Sequence, residues 1–303
     1  MVVTQTNYPE TMQLGDVANI RAEALPNIDL IMGGSPCQGF SFSGKQLNFE
    51  DPRSKLFFEF VRLVEECKPK YFLLENVRMK QEYQDIISDH LGVEPIVINS
   101  GLLSAQNRVR YYWTNIPMEG VPKDLGIYLK DITECGSEAV GFAKRGKYNT
   151  EGKVVQHLEC NGMNKSNTPT TAQKDPLVFI PSDSHKSSNG LICLGGVIKE
   201  NHKLWLEDGK LLQRNFRQGN RVYHEDGKAA TLNANGGNVG GKTGLYEIDG
   251  LIRKLTRREC ERLQTVPDGY TDSISKSQAI KCLGNGWTVD IIAHILRGVA
   301  KYE

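Results

Sequence analysis

The sequence predicts an α/β protein built on a mostly parallel sheet, joined to a smaller, loop-rich, β-leaning domain. Three observations predict it. Short apolar runs, Ile28 to Met32 and Tyr71 to Leu74, alternate with amphipathic helical patterns between residues 29 and 114. From about Gly136 to Gly250 the texture changes: Gly, Asn, Ser, Thr and Lys dominate, and the apolar runs shrink to Val178–Ile180, Leu191–Leu194 and Leu245–Ile248. Helical patterns then return and continue to Val299. Strands alternating with helices imply parallel crossovers. The expected division is a core of residues 1–135 with a C-terminal return of 251–303, and a second domain of 136–250.

The first strand, Asp29 to Met32, runs into Gly33-Gly34-Ser35-Pro36-Cys37-Gln38-Gly39-Phe40-Ser41. A glycine turn at the end of a buried strand presents Cys37 where open α/β sheets gather their reactive groups. Residues Ser54 to Cys67 carry Leu56, Phe57, Phe60, Val61 and Val64 at helical spacing. Lys68-Pro69-Lys70 ends that helix, and Tyr71 to Leu74 delivers a carboxylate, Glu75, at its own tip. Gln81 to Leu91 reads as a helix closed by Gly92. Val93–Ile98 and Arg110–Thr114 read as a β-hairpin. Leu251 to Gln264 reads as a helix with Thr256 and Glu259 as a capping box. Ser277–Cys282 and Val289–Val299 are helices around Gly284-Asn285-Gly286-Trp287.

Composition excludes several classes. Apolar residues make up 39% and charged residues 24% of 303, the balance of a globular chain. No apolar run approaches the length of a membrane span, and the start lacks a signal-peptide pattern, so a cytoplasmic location with no membrane partner is expected. The seven cysteines form no C-x-x-C pair, which argues against a zinc site and a disulfide framework; no metal is expected. Residues 1–140 hold 13 Lys+Arg against 19 Asp+Glu, net −6, and residues 141–303 hold 24 against 17, net +7. The second part is suited to face a polyanion.

A thiol and a carboxylate on neighbouring strand tips suggest covalent catalysis with an acid partner. At this point the sequence resembles the C5 DNA cytosine methyltransferase family. Pro36-Cys37-Gln38, Glu75-Asn76-Val77, Gln106-Asn107-Arg108-Val109-Arg110, the run Arg253 to Gln264, and Gly284-Asn285-Gly286 follow one another in the family's order. Ala230-Thr231-Leu232 resembles a short signature inside its target-recognition domain. Five motifs in order across Thr11 to Val299 are far more specific than a lone Pro-Cys-Gln.

The resemblance implies a Rossmann-like methyltransferase sheet that uses S-adenosyl-L-methionine and acts on double-stranded DNA. It implies Cys37 as nucleophile, Glu75 as acid, and Arg108 and Arg110 at the base or a phosphate. Asp16, Pro36, Asn285 and Trp287 fall at cofactor positions. Gln38, Ser41, Ser43, Lys45 and Arg53 fall in or beside a loop that closes over a flipped base. Arg214, Arg217, Arg221, Thr231 and Leu232 fall in the recognition segment, with Asn233, Asn235 and Lys242 as further candidates for DNA contact.

The family's opening strand with its Phe-x-Gly-x-Gly turn, and the strand ending in a ribose-binding acid, have no counterpart here. These 303 residues alone are therefore expected to bind S-adenosylmethionine poorly. A partner chain supplying the missing N-terminal strands would complete a molecule otherwise expected to be a monomer. The alternative expectation is a truncated or split, catalytically incomplete form acting as a subunit or DNA-binding protein.

Overall fold

The computed structural model describes residues 1–35, 56–134, 142–148, 154–160, 177–199, 206–207, 210–211, 218–234, 241–248 and 251–301. In chain order the first elements are α1 (Val2–Asn7), β1 (Leu30–Gly34), α2 (Leu56–Cys67), β2 (Tyr71–Val77), α3 (Gln81–Leu91), β3 (Ile96–Asn99) and β4 (Val109–Thr114). There follow β5 (Phe142–Tyr148), β6 (Val154–Cys160), β7 (Leu177–Lys186), β8 (Ile192–Lys199), β9 (Leu206–Glu207), β10 (Lys210–Leu211) and β11 (Arg221–His224). The chain closes with β12 (Leu245–Ile248), β13 (Leu251–Arg253), α4 (Arg257–Leu263), α5 (Lys276–Asn285) and α6 (Val289–Lys301).

Two compact units form. One comprises residues 1–103, 108–124 and 289–303, the other residues 104–107 and 125–288. The boundaries therefore fall elsewhere than at 135/136 and 250/251. Residues 125–134 and 251–288 pack with the β-rich unit: residues 251–253 pair with β12, and the Glu134 N–H donates to Glu259 at 3.1 Å.

The first unit is a four-stranded sheet in the order β1-β2-β4-β3. Only β1 and β2 run parallel, while β2–β4 and β3–β4 are antiparallel. The described sheet is thus mixed rather than mostly parallel. The cause is the connection: β3 and β4 form a hairpin instead of being joined by a helical crossover. Phe57, Phe60 and Val61 of α2 pack with Phe72, Leu74, Tyr83, Ile87 and Trp113 to make its core. Gly33 is required by that packing, because a Cβ there would lie 2.8 Å from the Phe60 ring. Gly92 ends α3 in the left-handed region at φ 67°, where glycine carries no steric penalty. Among the described residues β1 has a sheet neighbour on one side only.

The second unit is a seven-stranded sheet, β13-β12-β11-β8-β7-β6-β5, antiparallel except for β11–β12. Its core gathers Leu129, Tyr223, Leu232, Tyr246, Leu255, Cys260, Leu263 and Leu283. The expected helix from Leu251 is shorter than its pattern. Residues 251–253 pair with β12 as a strand, and the helix starts after Thr256, whose capping box with Glu259 forms as the sequence indicates. The helix expected over Ser277–Cys282 runs on to Asn285, with Gly286 as its C-cap.

Candidate active site

The site is built from the carboxyl ends of β1 and β2. Parallel register sets Gly34 beside Glu75. One residue further along each strand, Asn76 Nδ2 donates to Ser35 Oγ at 2.8 Å. The same Asn76 accepts from the Val77 amide at 2.8 Å through Oδ1, so its amide is used at both ends. Asn76 is buried. It locks the tip of β1 at the residue that leads into Pro36 and Cys37. Pro36, Cys37, Gln38, Ser41, Ser43, Lys45 and Arg53 lie outside the described residues.

On β4, Tyr112 stands opposite Glu75 and Arg110 stands opposite Val77. Alternation of side chains puts Glu75, Val77, Arg110 and Tyr112 on one face of the sheet. Glu75 and Arg110 are diagonal neighbours there, and Arg110 Nε lies 2.9 Å from Glu75 Oε1. Arg110 also donates to the Val109 carbonyl at 2.8 Å, which restricts its guanidinium. Tyr112 is buried beneath this pair. Burial raises its phenol pKa and the nearby Glu75 charge adds to the effect, while Arg108 and Arg110 pull it back. Arg108 is buried, with its backbone held on both sides: its N–H donates to Asn99 Oδ1 and its carbonyl accepts from the Ser100 N–H, each at 2.9 Å. The structure therefore brings Glu75 and Arg110 together, with Arg108 close enough to influence the same phenol. Ser35, Asn76 and Tyr112 join them without having been singled out as site residues. Asn76 was visible as part of Glu75-Asn76-Val77, but its partner was not.

In the second unit, Gln106 and Ala229 form an isolated parallel bridge. The Ala229 N–H donates to the Ala105 carbonyl at 2.7 Å and the Asn107 N–H to the Ala229 carbonyl at 2.9 Å. Thr231 Oγ1 adds a bond to the Asn107 carbonyl at 2.6 Å. Leu232 is buried in the core, and the Ala230 amide is held by the Tyr246 hydroxyl at 3.0 Å. The Ala230-Thr231-Leu232 signature is thus an internal fastening for the Gln106–Asn107 segment. Arg221 opens β11 and is half-buried. Lys242 Nζ reaches the Ser277 carbonyl at 3.3 Å, and the Asn233 N–H donates to the Lys242 carbonyl at 2.9 Å. Arg214, Arg217 and Asn235 lie outside the described residues.

The cofactor candidates divide between the units. Asp16 follows Gly15, at φ 88°, and accepts from the Ala18 N–H at 3.0 Å, leaving an exposed carboxylate. Asn285 is exposed and Trp287 half-buried around the Gly286 cap. As a carboxylate Asp16 only accepts hydrogen bonds, whereas the Asn285 carboxamide both donates and accepts. Among the described residues there is no group of three His, Cys, Asp or Glu side chains that could hold a metal ion, and no helix long and apolar enough to cross a membrane.

The fold is that of solved methyltransferases. The chain superposes on the Entamoeba histolytica methyltransferase EhMeth with TM-score 0.60 and 15% identity, covering 99% of this chain and 86% of that one. On the S. pombe Dnmt2 methyltransferase it does so with TM-score 0.55 and 15% identity, covering 98% and 86%. A model of the C-5 cytosine-specific DNA methylase family matches residues 3–301. Similar proteins include type II methyltransferase M.HhaI of Haemophilus parahaemolyticus, 30% identical over 97% of this chain and 82% of that protein. Type II methyltransferase M.NlaIV of Neisseria lactamica is 47% identical, over 96% and 87%. The chain belongs to the C-5 cytosine-specific DNA methylase family and is a DNA cytosine-5 methyltransferase.

Proposed function

We propose that this chain methylates cytosine C5 at a defined site in duplex DNA through Cys37, Glu75, Arg108 and Arg110. The observation that carries the reading is the Glu75–Arg110 pair, one residue along β2 from the Ser35–Asn76 lock. C5 of cytosine is too weak a nucleophile to attack a methyl donor directly. When the Cys37 thiolate adds to C6, the C5=C6 electrons become available at C5. Glu75 supplies a proton toward N3 so that charge does not accumulate on the ring as the sulfur–carbon bond forms. Arg110 steadies the Glu75 carboxyl and donates to the base O2, and Arg108 braces the same pocket or a phosphate. S-adenosylmethionine, when bound, supplies the methyl group. Loss of the C5 proton to solvent then expels Cys37 from C6 and restores the aromatic ring. Asn285 and Trp287 are the proposed contacts of the second unit with the donor's adenosine, and Asp16 is a separate candidate on the first. The base must leave the helix to be reached, and the basic second part of the chain would grip the duplex.

Methyl transfer from labelled S-adenosylmethionine to mixed-sequence duplex DNA tests this reading. Incorporation that disappears in Cys37→Ala supports it, as does a stable adduct with 5-fluorocytosine DNA. Incorporation that survives Cys37→Ala would sink the mechanism.

A second element of the reading comes from β1. Its outer edge has no strand partner among the described residues, and Met1, Val2, Tyr8, Met12, Leu14 and Met32 are exposed. An open strand edge is a template for further strands. We propose that a partner chain bearing strands completes the sheet at this edge, and that without it the chain binds the donor weakly. A full-strength binding isotherm on the purified chain would refute that element and leave the catalytic assignments standing. Apart from such a partner we take the enzyme to act as a monomer inside the cell.

A further inference from the structure

A buried amide spans both ends of the turn that carries Asn285 and Trp287. Gln264 stands directly after α4, 1% exposed. Its Nε2 donates to the Leu283 carbonyl at 2.6 Å, and its Oε1 accepts from Thr288 Oγ1 at 2.9 Å. Leu283 immediately precedes Gly284, and Thr288 immediately follows Trp287. One side chain therefore uses its donor and its acceptor at once, on opposite ends of a four-residue turn. A carboxamide carries a donor and an acceptor on separate atoms at the end of one stem. A carboxylate cannot donate to the Leu283 carbonyl, and an aliphatic side chain replaces neither bond.

The turn is fastened elsewhere too. The Gly286 N–H donates to the carbonyls of Cys282 at 2.9 Å and Leu283 at 3.2 Å. A Cβ on Gly284 would lie 2.8 Å from the Ala234 backbone nitrogen, so the helix end is pressed against residues 233–234. Gln264 has its own backbone N–H bonded within the last turn of α4, so the clamp is anchored on a rigid element. Above it Asn285 is exposed and Trp287 half-buried. Nothing in the sequence motif containing Gln264 announces a link to a turn about twenty residues later.

We infer that Gln264 is a positioning residue that sets the Gly284–Thr288 turn for the cofactor; the inference rests on the proposed cofactor role of Asn285 and Trp287. Loss of either hydrogen bond releases one end of the turn. Loss of both should do little more, because one free end already lets the turn move.

The test titrates S-adenosylhomocysteine and, separately, a DNA duplex into the full chain and its Gln264→Leu, Thr288→Val and double variants. Expected is a dissociation constant for S-adenosylhomocysteine raised roughly tenfold in each single variant, DNA binding changed less than about twofold, and a double variant no weaker than the weaker single. Parallel losses of both ligands and of thermal stability would reduce Gln264 to a general structural residue and overturn the inference. Asn285→Ala and Trp287→Ala separate the two levels. If these weaken S-adenosylhomocysteine and Gln264→Leu does not, the clamp is wrong and the cofactor reading stands. If neither weakens it, the cofactor reading falls and the inference with it. Where the parent binds too weakly to titrate, amide hydrogen exchange decides. Faster exchange confined to Gly284–Thr288 in Gln264→Leu supports the clamp, and unchanged exchange overturns it.

Discussion

Arg110 Nε lies 2.9 Å from Glu75 Oε1 across the antiparallel β2–β4 pair, and both side chains are largely buried. The two groups are fixed by sheet register, not by a loop. This is how a site keeps its geometry within the tolerance that chemistry needs.

Arg110→Ala should therefore act twice. It leaves the Glu75 carboxylate in a poorly solvated place without its partner, at a cost on the order of 3 kcal/mol. It should also slow methyl transfer by about 100-fold or more. Glu75→Gln keeps the shape, so the rate should fall as far while stability falls less. Urea unfolding beside single-turnover methyl transfer separates the effects. An Arg110→Ala enzyme with near-parental rate would contradict the pairing.

Ser35→Ala removes the one side-chain bond described between the tips of β1 and β2. The expected stability loss is about 1 kcal/mol. The transfer rate should drop out of proportion, since the residue sits two positions before the proposed nucleophile Cys37 and a small misplacement of a nucleophile is expensive. Asn76→Ala should cost more, because the Val77 amide also loses its acceptor. Equal rates in the parent and Ser35→Ala would show that the lock does not serve the nucleophile.

Gly298 in α6 has no room for a side chain. A Cβ there would collide with the Pro117 carbonyl oxygen and lie 2.9 Å from Ile116 Cγ2. Backbone cannot swing away as a side chain can, so Gly298→Ala should lose about 3 kcal/mol. Gly33→Ala meets only the Phe60 ring, and should lose about 1 kcal/mol less than that. Comparison of their urea midpoints checks the order.

Alkali should unfold the protein early. Burial raises the pKa values of the Cys260 thiol and of the Tyr246 and Tyr112 phenols. Each group is neutral in the folded state where its unfolded counterpart has begun to ionise, so the unfolded state binds fewer protons and stability falls as pH rises. The contribution is fully present below the unfolded values, about 8.5 for a thiol and about 10 for a phenol, and is lost above them at roughly 1.4 kcal/mol per pH unit and group. Denaturant midpoints at pH 8, 9.5 and 11 should decline with increasing slope. A flat profile would mean that these groups are not buried as described. Cys260 should also resist alkylation in the native state and react on unfolding.

Much of this was readable in advance, for physical reasons. The strands at 30–34 and 71–77 announce themselves because an apolar run between turn residues has few other fates. Gly92 and the Thr256–Glu259 box mark helix ends by local chemistry alone. Residues 251–253 misled because Leu251, Ile252 and Leu255 fit a helical stripe as well as a strand, and pairing with β12 decides the matter. The hairpin that makes the sheet mixed was legible; that β4 would insert between β2 and β3 was not, since strand order is a tertiary choice. Glu75 and Arg110 could be nominated from their motifs. Their contact with each other, the Ser35–Asn76 bond and the reach of Gln264 to Leu283 and Thr288 depend on register and packing that no local pattern encodes.

The four residues Ser104 to Asn107 belong to the β-rich unit, although the chain on both sides of them belongs to the other. They are held there by Ala229 and Thr231. The β-rich unit is therefore not a cassette. A segment exchanged between relatives at positions 136 and 250 would leave behind the host's Ser104–Asn107, Glu134 and Arg253–Glu259, and the incoming chain must match all of them. Transplants that carry residues 125–288 and keep Ala105 and Asn107 compatible should yield folded hybrids, and narrower grafts should not. Substitutions within residues 125–288 would then be accommodated more readily than replacement of residues 136–250 as a block.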